Sequence, residues 1–362
     1  MEKVPFNPQE MVAPVRVVPA MFGMPERRIW DSPITPGQNL IMACKEHDAM
    51  FLPSALDCNM MNTRILADNK ARATVMDGLE PFTPNLEGEK DVFGVTWLYE
   101  PVLNGSMVKP GNALFDDAND WEAVLKFPNP DEWDWEGAAK ASEEHRSDPL
   151  NCYKATIFTG FYERLISFMD FEDAAVAMID DEQQDAVKAL FDRLADLYIC
   201  YVDHFAKDFK LDGVELHDDW GSQMAPFMAP SIIEEMVVPS LKRVADRVHE
   251  HGMWFQQHSC GRIERLVPLM IEAGVDMWMG QDINDKAQCI KDYGDKIVIE
   301  CEAPECGEDA DEETVREAVE EWAKDHLIPG KACCLSIYSA SRKNPAVMTD
   351  VLYEVSRKAY CG

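Results

Sequence analysis

Apolar residues recur along this chain in two rhythms. Short runs alternate with period two, and longer runs return an apolar residue every three or four positions. From residue 213 onward the two rhythms take turns. Strands are predicted over 213–217, 253–259, 275–280, 297–301 and 332–338, and helices over 230–251, 263–273, 285–293, 312–326 and 346–360. In 230–251 the residues Ile233, Met236, Val237, Leu241, Val244 and Val248 form one helical face. Gly274 stands just past a helix end, where a left-handed cap favours glycine, Gly294 follows the helix 285–293, and acidic residues open 312–326, as the helix dipole prefers. Earlier in the chain 49–55, 92–98 and 153–159 read as strands, and 162–209 as a pair of helices.

Strands alternating with helices make parallel βα units. About eight such strands predict an α/β fold, a (β/α)8 TIM-type barrel, filling a single domain over 38–362. A doubly wound open sheet is the alternative, but no Gly-rich phosphate loop follows any strand. The Pro-rich stretch 1–37 reads as an N-terminal arm laid over the core. The irregular segment 99–151 carries Trp121, Phe127, Trp133 and Trp135, which mark it as an insertion packed near the barrel mouth.

Composition narrows the class. Hydrophobic residues make up 46% and charged residues 28% of 362, the balance of a globular protein, and no apolar run approaches a membrane span. Thirty-four basic against 66 acidic residues give a net charge of −32, which disfavours nucleic acid and anionic membranes as partners and otherwise favours solubility. Eleven cysteines and 20 methionines, with no basic-then-apolar leader at the start, suggest reduced thiols in a reducing, anaerobic cytoplasm.

Chemistry in a parallel barrel sits at the C-terminal strand ends. In GVELHDDWG, alternation turns Val214 and Leu216 toward the helices and Glu215, His217 and Asp219 toward the barrel mouth. In HSCG, His258 and Cys260 are two apart and point the same way, either as metal donors or as an ordinary buried histidine beside a buried thiol. In the last strand Cys333, Leu335 and Ile337 share the helix-facing side, leaving Ala332, Cys334, Ser336 and Tyr338 inside. His258, Cys260 and Cys334 then make three nitrogen and sulfur donors with an open fourth position, the layout of a catalytic zinc. Cys333, Cys301 or Cys306 remain open as the third ligand. The other cysteines, Cys200 among them, read as core or surface thiols. Asp219, with Glu215 or His217, is a candidate for orienting ligand or substrate. Gln281 and Asp282 are candidates for holding polar substrate groups, and Trp97 and Tyr162 for lining an aromatic pocket.

The stretches DVFGVTW, DGVELHDDWGS, HSCGRIERLVPLMIEAGVDMW and GQDIND resemble the uroporphyrinogen decarboxylase superfamily. The resemblance implies the (β/α)8 fold and two branches, heme-pathway decarboxylases and zinc-using, cobalamin-dependent methyltransferases. The decarboxylase branch carries an arginine-rich N-terminal segment, whereas this chain has only Arg27 and Arg28 there. His258-Ser259-Cys260 matches the H-x-C zinc motif of the methyltransferase branch, with a distant cysteine in the region of Cys333 and Cys334. The resemblance therefore implies Zn2+ as cofactor, with cobalamin supplied by a separate corrinoid protein, since no D-x-H-x-x-G motif is present. The expected activity is methyl transfer from a small-molecule methyl ether, most simply an aromatic one in an O-demethylation. Transfer from methylcobalamin to a thiol, a decarboxylase-like lyase and a non-catalytic scaffold are the alternatives, and a homo-oligomer is compatible with all of them.

Overall fold

The computed structural model describes residues 3–19, 26–102, 105–337, 339 and 343–362. Its strands are β1 (Arg16–Val18), β2 (Arg27–Ile29), β3 (Cys58–Met60), β4 (Glu89–Lys90), β5 (Thr96–Glu100), β6 (Gly105–Val108), β7 (Cys152–Phe158), β8 (Gly213–His217), β9 (Trp254–Ser259), β10 (Met277–Gly280), β11 (Val298–Cys301) and β12 (Cys333–Leu335). Seven of them form the main sheet in the order β12-β11-β10-β9-β8-β7-β3, with parallel pairing and helices between successive strands. The fold is α/β, of the TIM type.

Two strands differ from the sequence expectation. The run 92–98 does not join the parallel sheet: β5 pairs antiparallel with β4 and β6 in a separate three-stranded sheet. An apolar run alone does not say which kind of sheet it enters, and here another strand rather than a helix follows it. At 49–55 the described backbone makes one parallel bridge, Ser54 to Leu335, and the ladder strand begins at Cys58. The helix expected over 230–251 is two, Pro230–Met236 and Val238–Glu250, meeting at Val237 ahead of Pro239. Glu312–His326 forms as expected, capped by Asp311. Pro25 and Tyr338 lie outside the described residues.

By internal contacts the chain divides into two compact units. The first comprises Met1–Asn59, Pro149–Cys152 and Asp276–Gly362. Here the N-terminal arm is tied to the last helix, Val347–Cys361. Glu10 accepts hydrogen bonds from Arg357 at 2.9 Å and from the Tyr353 hydroxyl at 2.6 Å, while Arg28 pairs with Asp350 at 2.8 Å. The second unit comprises Met60–Asp148 and Tyr153–Val275. It holds β7, β8 and β9 and the long helix Gln184–Lys207. The segment 99–151 reaches the start of that helix where Ala118 N–H donates to Gln183 Oε1 at 2.8 Å, and then follows it to its far end, where Trp135 meets Tyr201, His204 and Phe209.

A polar layer lies between β7, β8 and β9. Lys154 Nζ donates to Glu215 Oε2 at 2.5 Å and to Gln256 Oε1 at 2.6 Å, with all three residues buried. Nearby, Arg164 donates to Asp91 at 2.7 Å and to Asp68, and Trp97 Nε1 donates to the same Asp91 oxygen at 2.9 Å. This network fastens β5 to the helix Phe161–Met169.

Candidate functional site

Parallel register places the centre of the site. His217 and His258 are ladder partners at the C-terminal ends of β8 and β9, so their side chains leave the same face one strand spacing apart. Their rings stack at 4.2 Å with 23° between planes. His258 Nε2 lies 3.3 Å from Cys260 Sγ and 3.6 Å from Asp219 Oδ1, and the Cys260 N–H donates to that Asp219 oxygen at 2.6 Å. One donor atom each from His217, Asp219 and His258 falls within 4.8 Å of the others. Two loops must cross closely to achieve this. A Cβ on Gly261, whose φ is +97°, would lie 2.4 Å from the Gly221 carbonyl carbon.

A line of charged groups extends from His217. Its Nδ1 meets Glu163 Oε2 at 2.8 Å, and Arg72 approaches the other Glu163 oxygen at 3.6 Å. Arg72 also donates to Thr159 Oγ1 at 3.2 Å and covers the Trp97 ring at 4.4 Å. Thr159 follows β7 with φ of +77°, a strained setting for a β-branched residue, and its carbonyl accepts from the Tyr198 hydroxyl at 2.9 Å. Asp218 faces away from the histidines. It accepts from Tyr162 N–H, Glu163 N–H and Trp220 Nε1, which pins the first turn of Phe161–Met169 to the end of β8. Gly160 permits that approach, since a Cβ there would sit 2.4 Å from the Asp218 Cβ.

Burial and charge shift every acid in the cluster. Burial tends to raise Glu163, but His217 and Arg72 outweigh it and hold the carboxyl down at about 2. Burial tends to lower His217, and Glu163 outweighs that, so the imidazole is held above its ordinary value. Burial and the nearby Glu163 charge raise Asp218 to about 7 and raise Asp219 as well. Burial, then Asp219, pushes the Cys260 thiol up to about 12. A carboxylate and a thiolate crowded together in this way are the donors that a cation stabilises.

The other sequence candidates have these surroundings. Glu215 sits deeper on β8 in the ion pair with Lys154, not beside the histidines. Trp97 is buried under Arg72, within reach of the charged line. Tyr162 is buried against Phe171 and Phe227, and its hydroxyl has no hydrogen-bond partner among the described residues. Gln281, Asp282 and Cys334 belong to the first unit. The Gln281 carbonyl accepts from Asn284, and Asp282 is exposed. Cys334 is fully buried opposite Glu300 in the ladder, and burial, then Glu300, pushes its thiol well up. The parity reading of the last strand holds for Cys333, whose Sγ lies 3.4 Å from the His326 carbonyl and 3.6 Å from the Tyr360 hydroxyl, on the helix side. Cys306 is in a loop, its N–H donating to Asn344.

Sequence reasoning missed Arg72, Glu163 and Asp218. Gly160-Phe161-Tyr162-Glu163 follows a strand directly, which puts a carboxylate in the first helical turn at the reactive strand end. Arg72 carries no such signal. The first unit also contains a cavity of about 130 Å³ with mainly apolar walls, among them Trp30, Phe51, Leu335 and Tyr353. None of the donors named above lines it.

The sequence model of the family described as uroporphyrinogen decarboxylase (URO-D) matches residues 165–331, a stretch that includes His217, Asp219, His258 and Cys260. Among solved structures, the chain is similar to a methyltransferase from Methanosarcina mazei at 13% identity, with a TM-score of 0.54, over 90% of this chain and 98% of that one. At that identity the likeness bears on the fold alone. No curated protein matches the chain. No helix among the described residues is long and apolar enough to cross a membrane.

Proposed function

We propose that the chain, whose residues 165–331 match the uroporphyrinogen decarboxylase family model, is a zinc-dependent methyltransferase, moving a methyl group from a methyl ether to the cobalamin of a separate corrinoid protein. The observation that carries this reading is the convergence of His258, Cys260 and Asp219 beside the His217–Glu163 pair.

Two of the three donor separations suit zinc. Bond lengths of about 2.0–2.3 Å to nitrogen, oxygen and sulfur put tetrahedral donors roughly 3.3–3.7 Å apart. The separations from His258 Nε2 to Cys260 Sγ and to Asp219 Oδ1, 3.3 and 3.6 Å, fall in that range. His258, Cys260 and Asp219 would hold the ion with a coordination position open. Bound there, zinc supplies Lewis acidity toward the atom the methyl group leaves.

The protein's own groups do the rest. Glu163 accepts the Nδ1–H of His217, which fixes the ring and presents Nε2 to the space beside His258. From there Nε2 is placed to give a proton to the departing oxygen. Arg72 balances the second oxygen of Glu163 and keeps that carboxylate charged. Tyr162, Phe171 and Phe227 form an aromatic cluster, with Phe171 and Phe227 partly exposed, and this supports an aromatic ether as donor. The test is incubation of the protein with cob(I)alamin and separate pools of phenyl methyl ethers, methanol, methylamines and methyl thiols. Methylcobalamin should form from the aromatic ethers. Its formation from methylamines or methyl thiols alone would overturn the substrate assignment, and no methyl transfer from any donor would overturn the activity.

A further inference from the structure

A second group of donors lies in the same unit, on the long helix Gln184–Lys207 and the short turn Pro130–Glu132. Cys200 and His204 are four apart and share a helix face. Asp131 reaches them from the turn. Its Oδ1 lies 3.6 Å from Cys200 Sγ and 3.2 Å from His204 Nε2, and the three donor atoms fall within 4.8 Å of one another.

Two further contacts give this group the form of a built site. The other ring nitrogen of His204, Nδ1, lies 2.7 Å from Asp208 Oδ2. A proton on Nδ1 donating to that carboxylate orients the ring, and Nε2, which faces Asp131 Oδ1, can then either carry a second proton to that oxygen or give its lone pair to a cation. The ring plane is fixed as well. Trp135 stacks on it at 4.5 Å with 8° between planes, and Trp135 itself is buried. Asp131 is exposed, so water can complete the coordination.

We propose that Cys200, His204 and Asp131 bind a zinc-type divalent cation at the surface of the long helix, with Asp208 orienting the histidine. This site is separate from the one assigned to methyl transfer and does not depend on that reading. One thiol, one imidazole and one carboxylate are a donor set for a borderline cation rather than for magnesium or calcium. Binding replaces the Cys200 S–H bond with a sulfur–metal bond, and the proton leaves to solvent. The ion would tie the turn carrying Asp131 to the helix, stapling the tryptophan-bearing segment in place.

The test uses the full chain carrying Cys260→Ser, which removes the thiolate of the other site, with Co2+ as the spectroscopic probe for zinc. We expect one saturable equivalent with a sulfur-to-cobalt absorption band, and release of a proton per ion bound. Cys200→Ser should abolish the band, and Asp208→Asn should weaken binding by about 10–100-fold. Asp131→Asn changes an exposed side chain, should leave folding intact by circular dichroism, and should also weaken binding. Zinc should raise the melting temperature of the Cys260→Ser chain but not that of the form also lacking Cys200. A titration with no sulfur band, a band that survives Cys200→Ser, or unchanged affinity in both aspartate variants overturns the proposal.

Discussion

Replacing Glu163 by glutamine keeps the shape of the side chain and removes the charge facing His217. In the native protein burial pulls the imidazole down, and Glu163 more than offsets it, so His217 titrates above 6.5. Without that charge, burial and Arg72 remain and the main opposition to them is gone. His217 in Glu163→Gln should therefore titrate below 6.5, a reversal of sign. On the other side of the pair, His217 and Arg72 overcome burial and lower Glu163 from 4.5 to about 2. At about 1.4 kcal/mol per pH unit this corresponds to about 3 kcal/mol. A lowered carboxylate contributes fully above 4.5 and loses its contribution as pH falls toward about 2. A raised histidine contributes fully below 6.5 and loses its contribution as pH climbs through its folded value. The pair is thus strongest between 4.5 and 6.5. Urea unfolding of zinc-free protein across this range, with the His217 ring followed by NMR, measures both effects. The native chain should exceed the variant by about 3 kcal/mol inside the window, with the difference shrinking on either side. A His217 that stays above 6.5 in the variant, or a stability difference indifferent to pH, would refute the assigned ion pair.

Three other outcomes are expected. Cys260→Ser and His258→Ala should lose zinc and methyl transfer together, measured by metal analysis of protein purified without added zinc, while Cys334→Ser keeps its zinc; loss of zinc in Cys334→Ser would move the third donor to β12. Lys154→Met leaves Glu215 buried without its partner and should cost about 3–5 kcal/mol in urea unfolding, most of it recovered when Glu215→Leu is added; a double variant no more stable than the single contradicts the pairing. Gly261→Ala puts a Cβ 2.4 Å from the Gly221 carbonyl carbon at a φ of +97° and should cost about 1–3 kcal/mol in a thermal melt; an unchanged melting temperature would show that the loops do not cross this tightly.

The alternation of strand and helix after residue 213 was readable because each strand there is short, apolar and punctuated by a helix with its own period. The parity of β12 was readable for the same reason, and Cys333 does lie on the helix side, against Tyr360 and His326. His217, Asp219, His258 and Cys260 do lie together at the ends of β8 and β9, as strand parity and the strand-end rule predicted. Depth along the strand could not be read this way: Glu215 has the same parity as His217 yet lies two residues lower, in the polar layer with Lys154. Arg72 and Glu163 reach the site from a loop and a helix far away in sequence, and no periodicity predicts a contact of that kind. The run 92–98 misled because its apolar pattern fits either sheet type.

The two histidines of the site are spaced by the β ladder itself. His217 and His258 hold their separation because backbone hydrogen bonds between β8 and β9 set it, as they set every other rung. Folding therefore assembles these side chains before any ion arrives, and little ordering is left for binding to impose. In the proposed site an ion would then be chosen by its affinity for donors already in place, His258 among them, and not by its ability to draw a loose pocket around itself. The metal-free and metal-loaded proteins should then be close to superimposable at β8 and β9, and hydrogen exchange of those strands should scarcely register the metal. What would ruin the site is a slip of one residue in the β8–β9 register, which would turn one imidazole to the opposite face of the sheet while leaving the sequence of both strands untouched.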